Sequence, residues 1–129
     1  MSAKNLPTNA ELAILNILWS KGKATVKQIH EELDSGKGYT TTLKFVQIMR
    51  EKGMVERESE SRPHLYSAVV EQSQTEKSLI STWMGKLMGG SAASLAMKAL
   101  GSSQVTNEEV SELRSLLDSI EEENNNTPR

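Results

Sequence analysis

The stretch Lys37-Gly38-Tyr39-Thr40-Thr41-Thr42-Leu43-Lys44-Phe45-Val46-Gln47-Ile48-Met49-Arg50-Glu51-Lys52-Gly53-Met54-Val55-Glu56-Arg57-Glu58 changes its period part-way along. Through Lys52 the apolar stripe Thr42, Phe45, Val46 and Met49 recurs at helical spacing. The opposite face carries Thr40, Lys44, Gln47 and Glu51, with Thr41, Leu43, Ile48 and Arg50 at the flanks. This predicts a helix over residues 40–52, closed by Gly53. Beyond it the alternation is two, which predicts a strand over 54–58 with one wet face. The cluster Ser59-Glu60-Ser61-Arg62-Pro63-His64 is a turn, and residues 65–70 read as the return strand.

Upstream lie two more helical signals. Thr8 and Glu11 have capping-box spacing, and Leu12, Leu15, Leu18 and Trp19 form a stripe that ends at Gly22. Thr25 and Gln28 form a second box, ahead of Val26, Ile29 and Leu33. Three short helices followed by a hairpin are the layout of a winged helix-turn-helix. Downstream of Glu71 the pattern is wholly helical. Residues 73–88 carry Leu79, Ile80, Trp83, Met84 and Leu87, and Gly89-Gly90 interrupts. Residues 91–100 carry Leu95, Ala99 and Leu100. Thr106 and Glu109 make a third box, ahead of Val110, Leu113, Leu116, Leu117 and Ile120 in a helix over 107–123. The predicted fold class is mainly α with a small β-hairpin: a winged helix-turn-helix over residues 1–71, a helical dimerisation domain over 72–123, and a disordered tail over 124–129.

Composition bounds what such a chain can do. Of 129 residues, 36% are apolar and five are aromatic: Trp19, Tyr39, Phe45, Tyr66 and Trp83. A core so lean favours burial shared with a second copy. The stripes of the last three helices each need a partner, and a two-fold dimer is the commonest closed solution. The expected dimer contacts are Ile80, Trp83, Leu87, Leu95, Val110, Leu113, Leu116, Leu117 and Ile120. There is no cysteine, which removes disulfides, thiolate metal sites and thiol nucleophiles. No run of signal-peptide or membrane-span length occurs, so a cytoplasmic protein without membrane insertion is expected. The net charge of −2 hides an asymmetry. Residues 1–70 hold ten Lys/Arg against eight Asp/Glu, and residues 71–129 hold five against nine.

Catalytic chemistry finds no support. No Ser-His-Asp arrangement has local context, and no glycine-rich phosphate loop occurs. His30 and Asp34 have i,i+4 spacing, yet a solvated helix face accounts for them better than a metal ion does. No catalytic residue, metal or cofactor is expected. The run from Lys37 to Lys44, with Gln47 one turn on, carries more meaning. In a helix-turn-helix the second helix of the motif enters the major groove by its N-terminal turn. Hydroxyls and backbone N–H groups there reach phosphates, while Lys, Thr and Gln reach base edges. Taken alone, the threonine run is a cap plus a loop; its place between a helix and a hairpin decides the reading. The expected DNA-binding residues are Lys37, Tyr39, Thr40, Thr41, Lys44, Gln47, Arg62 and His64, with the last two at the wing tip. Arg57, Lys21, Lys23 and Lys27 are further cations near this face. Leu43 and Ile48 either pack under the wing or first helix, or touch thymine methyl groups.

In this order and spacing the chain resembles the BlaI/MecI/CopY family of bacterial penicillinase-type repressors. The resemblance rests on Leu6-Pro7-Thr8-Asn9-Ala10-Glu11-Leu12 leading to Leu18-Trp19, on Tyr39-Thr40-Thr41-Thr42-Leu43-Lys44, and on Glu51-Lys52-Gly53-Met54-Val55. Arg62 and Tyr66 in the wing, Gly89-Gly90-Ser91, and the ending Thr106-Asn107-Glu108-Glu109 with Leu113 and Leu117 complete it. The resemblance implies a homodimeric transcriptional repressor that binds double-stranded DNA at palindromic operators. It also implies a sensor protein or protease that relieves repression. The copper-responsive branch of that family uses cysteines, which this chain lacks. The alternative function is a winged-helix protein–protein interaction module without specific DNA binding.

Overall fold

The computed structural model describes residues 6–58, 60, 62–86 and 91–126. Among them lie six helices and one antiparallel hairpin: α1 (Asn9–Lys21), α2 (Val26–Leu33), α3 (Tyr39–Glu51), β1 (Val55–Arg57), β2 (Tyr66–Ala68), α4 (Gln72–Lys86), α5 (Ala92–Gly101) and α6 (Asn107–Asn126). The chain divides into two units, Met1–Trp83 and Met84–Arg129.

The first unit starts at a closed capping box. The Glu11 N–H donates to Thr8 Oγ1 at 3.2 Å, and the Thr8 N–H donates to Glu11 Oε1 at 2.9 Å. α2 repeats the device with Thr25 and Gln28. Each box satisfies two of the donors that a helix start leaves without partners. The core joins Ile14, Leu15, Leu18, Ala24, Val26, Ile29, Val46, Met49, Met54, Val55 and Tyr66. Ile14 is fully buried, whereas Leu12 and Trp19 of the expected stripe are only half-buried. The stripe is rotated because α1 meets α2, α3 and β2, so its covered arc is set by three neighbours and not by one.

Glu11 is also buried, at 3% exposure. Its second carboxylate oxygen accepts from Lys52 Nζ at 2.8 Å, which ties the start of α1 to the residue that ends α3. Gly53 follows with φ of 81°, a left-handed conformation that glycine adopts without steric cost. It turns the chain from α3 into β1.

β1 pairs with β2 in the register Val55↔Ala68, Glu56↔Ser67 and Arg57↔Tyr66. The strands are shorter than the alternation suggested, three residues each. The hydrogen bonding nonetheless continues at both ends, from the Glu58 N–H to the Leu65 carbonyl and from the Val69 N–H to the Met54 carbonyl. An isolated bridge between Ala24 and Tyr66 gives β2 a further partner besides β1, with N–H to carbonyl distances of 3.0 and 2.8 Å. This anchors the hairpin to the segment between α1 and α2. Trp19 Nε1 donates to the Val70 carbonyl at 3.0 Å and fixes the chain as it leaves β2.

In α4, Thr75 and Leu79 are buried, while Ile80 and Trp83 are exposed. The second unit holds α5, capped by Ser91, and α6, opened by the Thr106–Glu109 box. α6 continues to Asn126, three residues past its expected end. Leu95, Val110 and Leu113 are half-buried. Leu116, Leu117 and Ile120 are exposed, Leu117 by 62%. Leu87 and the Gly89-Gly90 break lie outside the described residues.

Candidate nucleic-acid interface

α3 starts at Tyr39, one residue earlier than its pattern indicated, and its N-cap is Gly38. Gly38 offers no side chain to the first turn. Only its carbonyl closes the turn, accepting from the Thr41 N–H at 3.1 Å and the Thr42 N–H at 3.4 Å. Because i and i+4 share a face, Tyr39, Leu43 and Gln47 form one stripe. Thr40, Lys44 and Ile48 form another, beside Thr41.

The structure sets these stripes in two grooves. A cleft of about 510 Å³ is lined by Tyr39, Leu43 and Gln47 of α3, by Thr25, Val26 and Lys27 at the start of α2, and by Arg57, Arg62, Pro63, His64 and Tyr66 of the hairpin. Among the described residues no carboxylate lines it. On the other side of α3, Thr40, Thr41, Lys44, Phe45 and Ile48 line a shallower groove of about 220 Å³. Tyr39, Thr40, Thr41, Lys44 and Gln47 are all exposed. α3 is therefore a polar ridge with a cationic cleft on its wing side and, on the other, a groove that sets Thr40, Thr41 and Lys44 against the apolar Phe45 and Ile48.

The sequence-derived residues fall on this surface unevenly. Tyr39, Gln47, Arg62 and His64 meet around the larger cleft, and Thr40, Thr41 and Lys44 share the smaller groove. Lys37 is exposed in the loop before α3 and lines neither. Leu43 packs against the core on the wing side, which settles its half-buried place. Of the accessory cations, Lys23 is held by Glu58 at 3.3 Å, and Ser67 Oγ donates to the same carboxylate at 2.7 Å. These two partners hold Glu58 below the usual carboxylate range, the Ser67 hydroxyl foremost. Arg57 is paired with Glu60 through Nη2, which donates to both carboxylate oxygens at 3.0 and 3.1 Å.

Sequence reasoning did not join Thr25, Val26 and Pro63 to the cleft. Thr25 and Val26 read as a cap and a core residue, and their approach to the wing depends on the bridge at Ala24. It also left His30 on a solvated face. The His30 ring is instead half-buried, with Nδ1 2.9 Å from Thr42 Oγ1 and its centroid 5.9 Å from that of Tyr39 in an edge-on arrangement. No spacing rule connects a histidine to a threonine twelve residues on. Among the described residues no group of His, Asp and Glu is arranged to hold a metal ion.

Three helices, a hairpin folded back beside the third, and a polar ridge exposed next to a cationic cleft define a winged helix-turn-helix protein. Comparison with known proteins narrows the class. The chain belongs to the penicillinase repressor family, whose profile matches residues 7–119, and this places it among repressors and not enzymes. It is 25% identical to the methicillin resistance regulatory protein MecI of Staphylococcus aureus strain N315 over 112 residues, covering 85% of this chain and 91% of that one. It is 25% identical to the penicillinase repressor of Staphylococcus aureus over 113 residues, 86% of this chain and 90% of that one. The solved reduced form of MarR from E. coli is similar over 88% of this chain and 77% of that chain, with 22% identity and a TM-score of 0.46. Among the described residues no helix is long and apolar enough to cross a membrane.

Proposed function

We propose that this protein is a homodimeric transcriptional repressor that reads palindromic operators in double-stranded DNA. The observation that carries the reading is the exposed first half of α3 lying open between two grooves. A helix so presented fits a major groove, and the hairpin beside it reaches the adjoining backbone. Lys44, Gln47, Thr40 and Thr41 are the residues for base edges. Lys37, Arg62 and His64 are those for phosphate or the wing contact, and Tyr39, exposed at the start of the helix, shares the cleft with Arg62 and His64. Such contacts divide the labour: cations fix position, and groups on the ridge choose sequence.

Dimerisation is supported by the apolar positions of the second unit that a single chain leaves exposed, Leu116, Leu117 and Ile120 among them. A dimer makes the second half-site encounter intramolecular, which raises affinity without new contacts. A bound dimer then blocks transcription sterically. Relief of repression by a sensor protein or protease belongs to the same proposal, in keeping with relatives named as a penicillinase repressor and a methicillin resistance regulator.

The test is selection from random duplex DNA by the purified full chain at near-physiological salt with excess non-specific competitor. Recovery of a palindrome establishes a sequence-reading dimer, and its half-site spacing gives the separation of the two copies of α3. Recovery of no motif by folded protein would transfer the function to protein–protein interaction.

A further inference from the structure

We infer that His30 is a positioning residue for sequence reading: from α2 it holds the first turn of α3 in the rotation that faces Thr40, Thr41 and Lys44 outward. The inference rests on the proposed DNA-binding role of α3 and adds to it the group that sets the helix's aim.

Side-chain caps secure the N-termini of α1, α2, α5 and α6. α3, the one helix here assigned to DNA, starts at Gly38 without one. Its lead-in, Ser35-Gly36-Lys37-Gly38, holds two glycines and is exposed throughout. Local structure thus leaves the first turn of α3 loosely specified.

His30 supplies the missing constraint from another element. Its Nδ1 lies 2.9 Å from Thr42 Oγ1, a hydroxyl on a residue that is 2% exposed. Either tautomer makes this a hydrogen bond, because a hydroxyl both donates and accepts. The edge of the same ring meets Tyr39. One imidazole therefore touches the first and fourth residues of α3, the exposed Tyr39 and the buried Thr42. Thr40 and Thr41 lie between those two points and are exposed. The Thr42 bond, directional and made at a buried residue, sets the rotation of the turn about its axis, and the ring edge against Tyr39 adds to it. α2 is itself short and anchored, with its own capping box at the start and Ile29 fully buried beside His30. His30 reaches no base in this scheme and acts only through the residues it holds.

Sequence reading depends on side-chain placement to a fraction of an ångström, whereas non-specific affinity depends on the number of phosphate contacts. Loss of the His30 constraint should therefore lower discrimination and spare non-specific binding. Two substitutions separate its two contacts. His30→Asn places an amide atom where Nδ1 stands, keeping the Thr42 bond and losing the ring. His30→Phe keeps a ring against Tyr39 and loses the bond.

The experiment measures binding of wild type and both variants, as full chains, to two duplexes across a salt series. One duplex is that enriched by wild-type protein from a random pool; the other is a scramble of equal composition. The expected result for His30→Phe is an affinity for the enriched duplex lower by ~10-fold, the equivalent of one hydrogen bond. Its affinity for the scramble and its salt slope should stay at wild-type values, and His30→Asn should recover most of the loss. Equal losses on both duplexes, or none, would overturn the inference, as would failure of His30→Asn to rescue. If His30→Phe does not fold by thermal unfolding, Thr42→Val removes the same bond from the other side and is read in the same way. If wild-type protein enriches no duplex, the DNA-binding reading itself falls, an outcome distinct from intact enrichment with insensitive variants.

Discussion

Lys44 and Glu11 show two different uses of a charge. Lys44 stands exposed on α3 beside Thr40 and Thr41, where an ammonium can reach either a base edge or a phosphate. Assigned to a base, it should discriminate: Lys44→Ala is expected to cost about 1–3 kcal/mol on the selected operator and much less on unrelated duplex. Titration of both duplexes checks this, and equal losses would reassign Lys44 to phosphate. Glu11 is a structural charge. Burial opposes its ionisation, but the Lys52 ammonium and the Thr8 cap outweigh burial and hold its carboxyl below the usual range. A lowered folded pKa stabilises the fold above the ordinary glutamate value, and that contribution is lost as pH falls through the lowered one. Glu11→Gln should accordingly cost about 1–2 kcal/mol at neutral pH, through the lost charge-assisted bond. The gap between wild type and variant in urea midpoint should close on acidification below the glutamate range. A gap that stays constant into acid would refute the ion-pair account.

Elements here are closed by short-range chemistry and placed by long-range contacts, and the two were unequally legible. The three capping boxes, Thr8–Glu11, Thr25–Gln28 and Thr106–Glu109, were readable because each joins residues three apart. The switch of period at Gly53 gave α3 and the hairpin for a similar reason. What the sequence did not disclose was set across the fold. The Lys52–Glu11 pair spans 41 residues, Trp19 reaches Val70 across 51, and Ala24 joins the hairpin through a bridge to Tyr66. Periodicity describes one element and is silent on its neighbours, so the rotated stripe of α1 and the His30–Thr42 contact escaped it. The exposed face of α3 was legible, whereas the division of that face into two grooves required the hairpin's position. The turn at Gly53 offers a test at this scale. A methyl group there would meet no atom within 4 Å, so only its φ of 81° opposes substitution. Gly53→Ala should cost about 1–2 kcal/mol, the penalty of a left-handed L-residue, and leave DNA affinity of the folded protein unchanged. A variant of wild-type stability by urea unfolding would show that the turn relaxes to another conformation.

At the scale of the molecule, the apolar surface left by one chain argues for a second. Met97 is 64% exposed and Leu116 55%, and a cleft of about 450 Å³ between α5 and α6 is floored by Ala99, Leu100, Val105, Leu113 and Leu116. Apolar groups gathered this way on a small unit mark an association surface more often than a free one. Leu116 separates assembly from folding better than the buried positions do. Because its side chain is largely solvated in the single chain, Leu116→Asp should leave the helices of the monomer intact, with an unchanged far-ultraviolet circular dichroism spectrum. In a dimer the same carboxylate would be desolvated against apolar groups without a partner, at a cost of several kcal/mol. Sedimentation is therefore expected to give a dimer for wild type and a monomer for the variant at the same concentration. The DNA consequence follows from geometry: a monomer engages one half-site, forfeits the intramolecular second encounter, and should lose about 100-fold or more in operator affinity. Its binding to a single half-site duplex should match wild type, because α3 and the hairpin belong to the other unit. A monomeric variant that still bound the full operator at wild-type strength would remove the dimer from the mechanism and leave each winged helix acting alone.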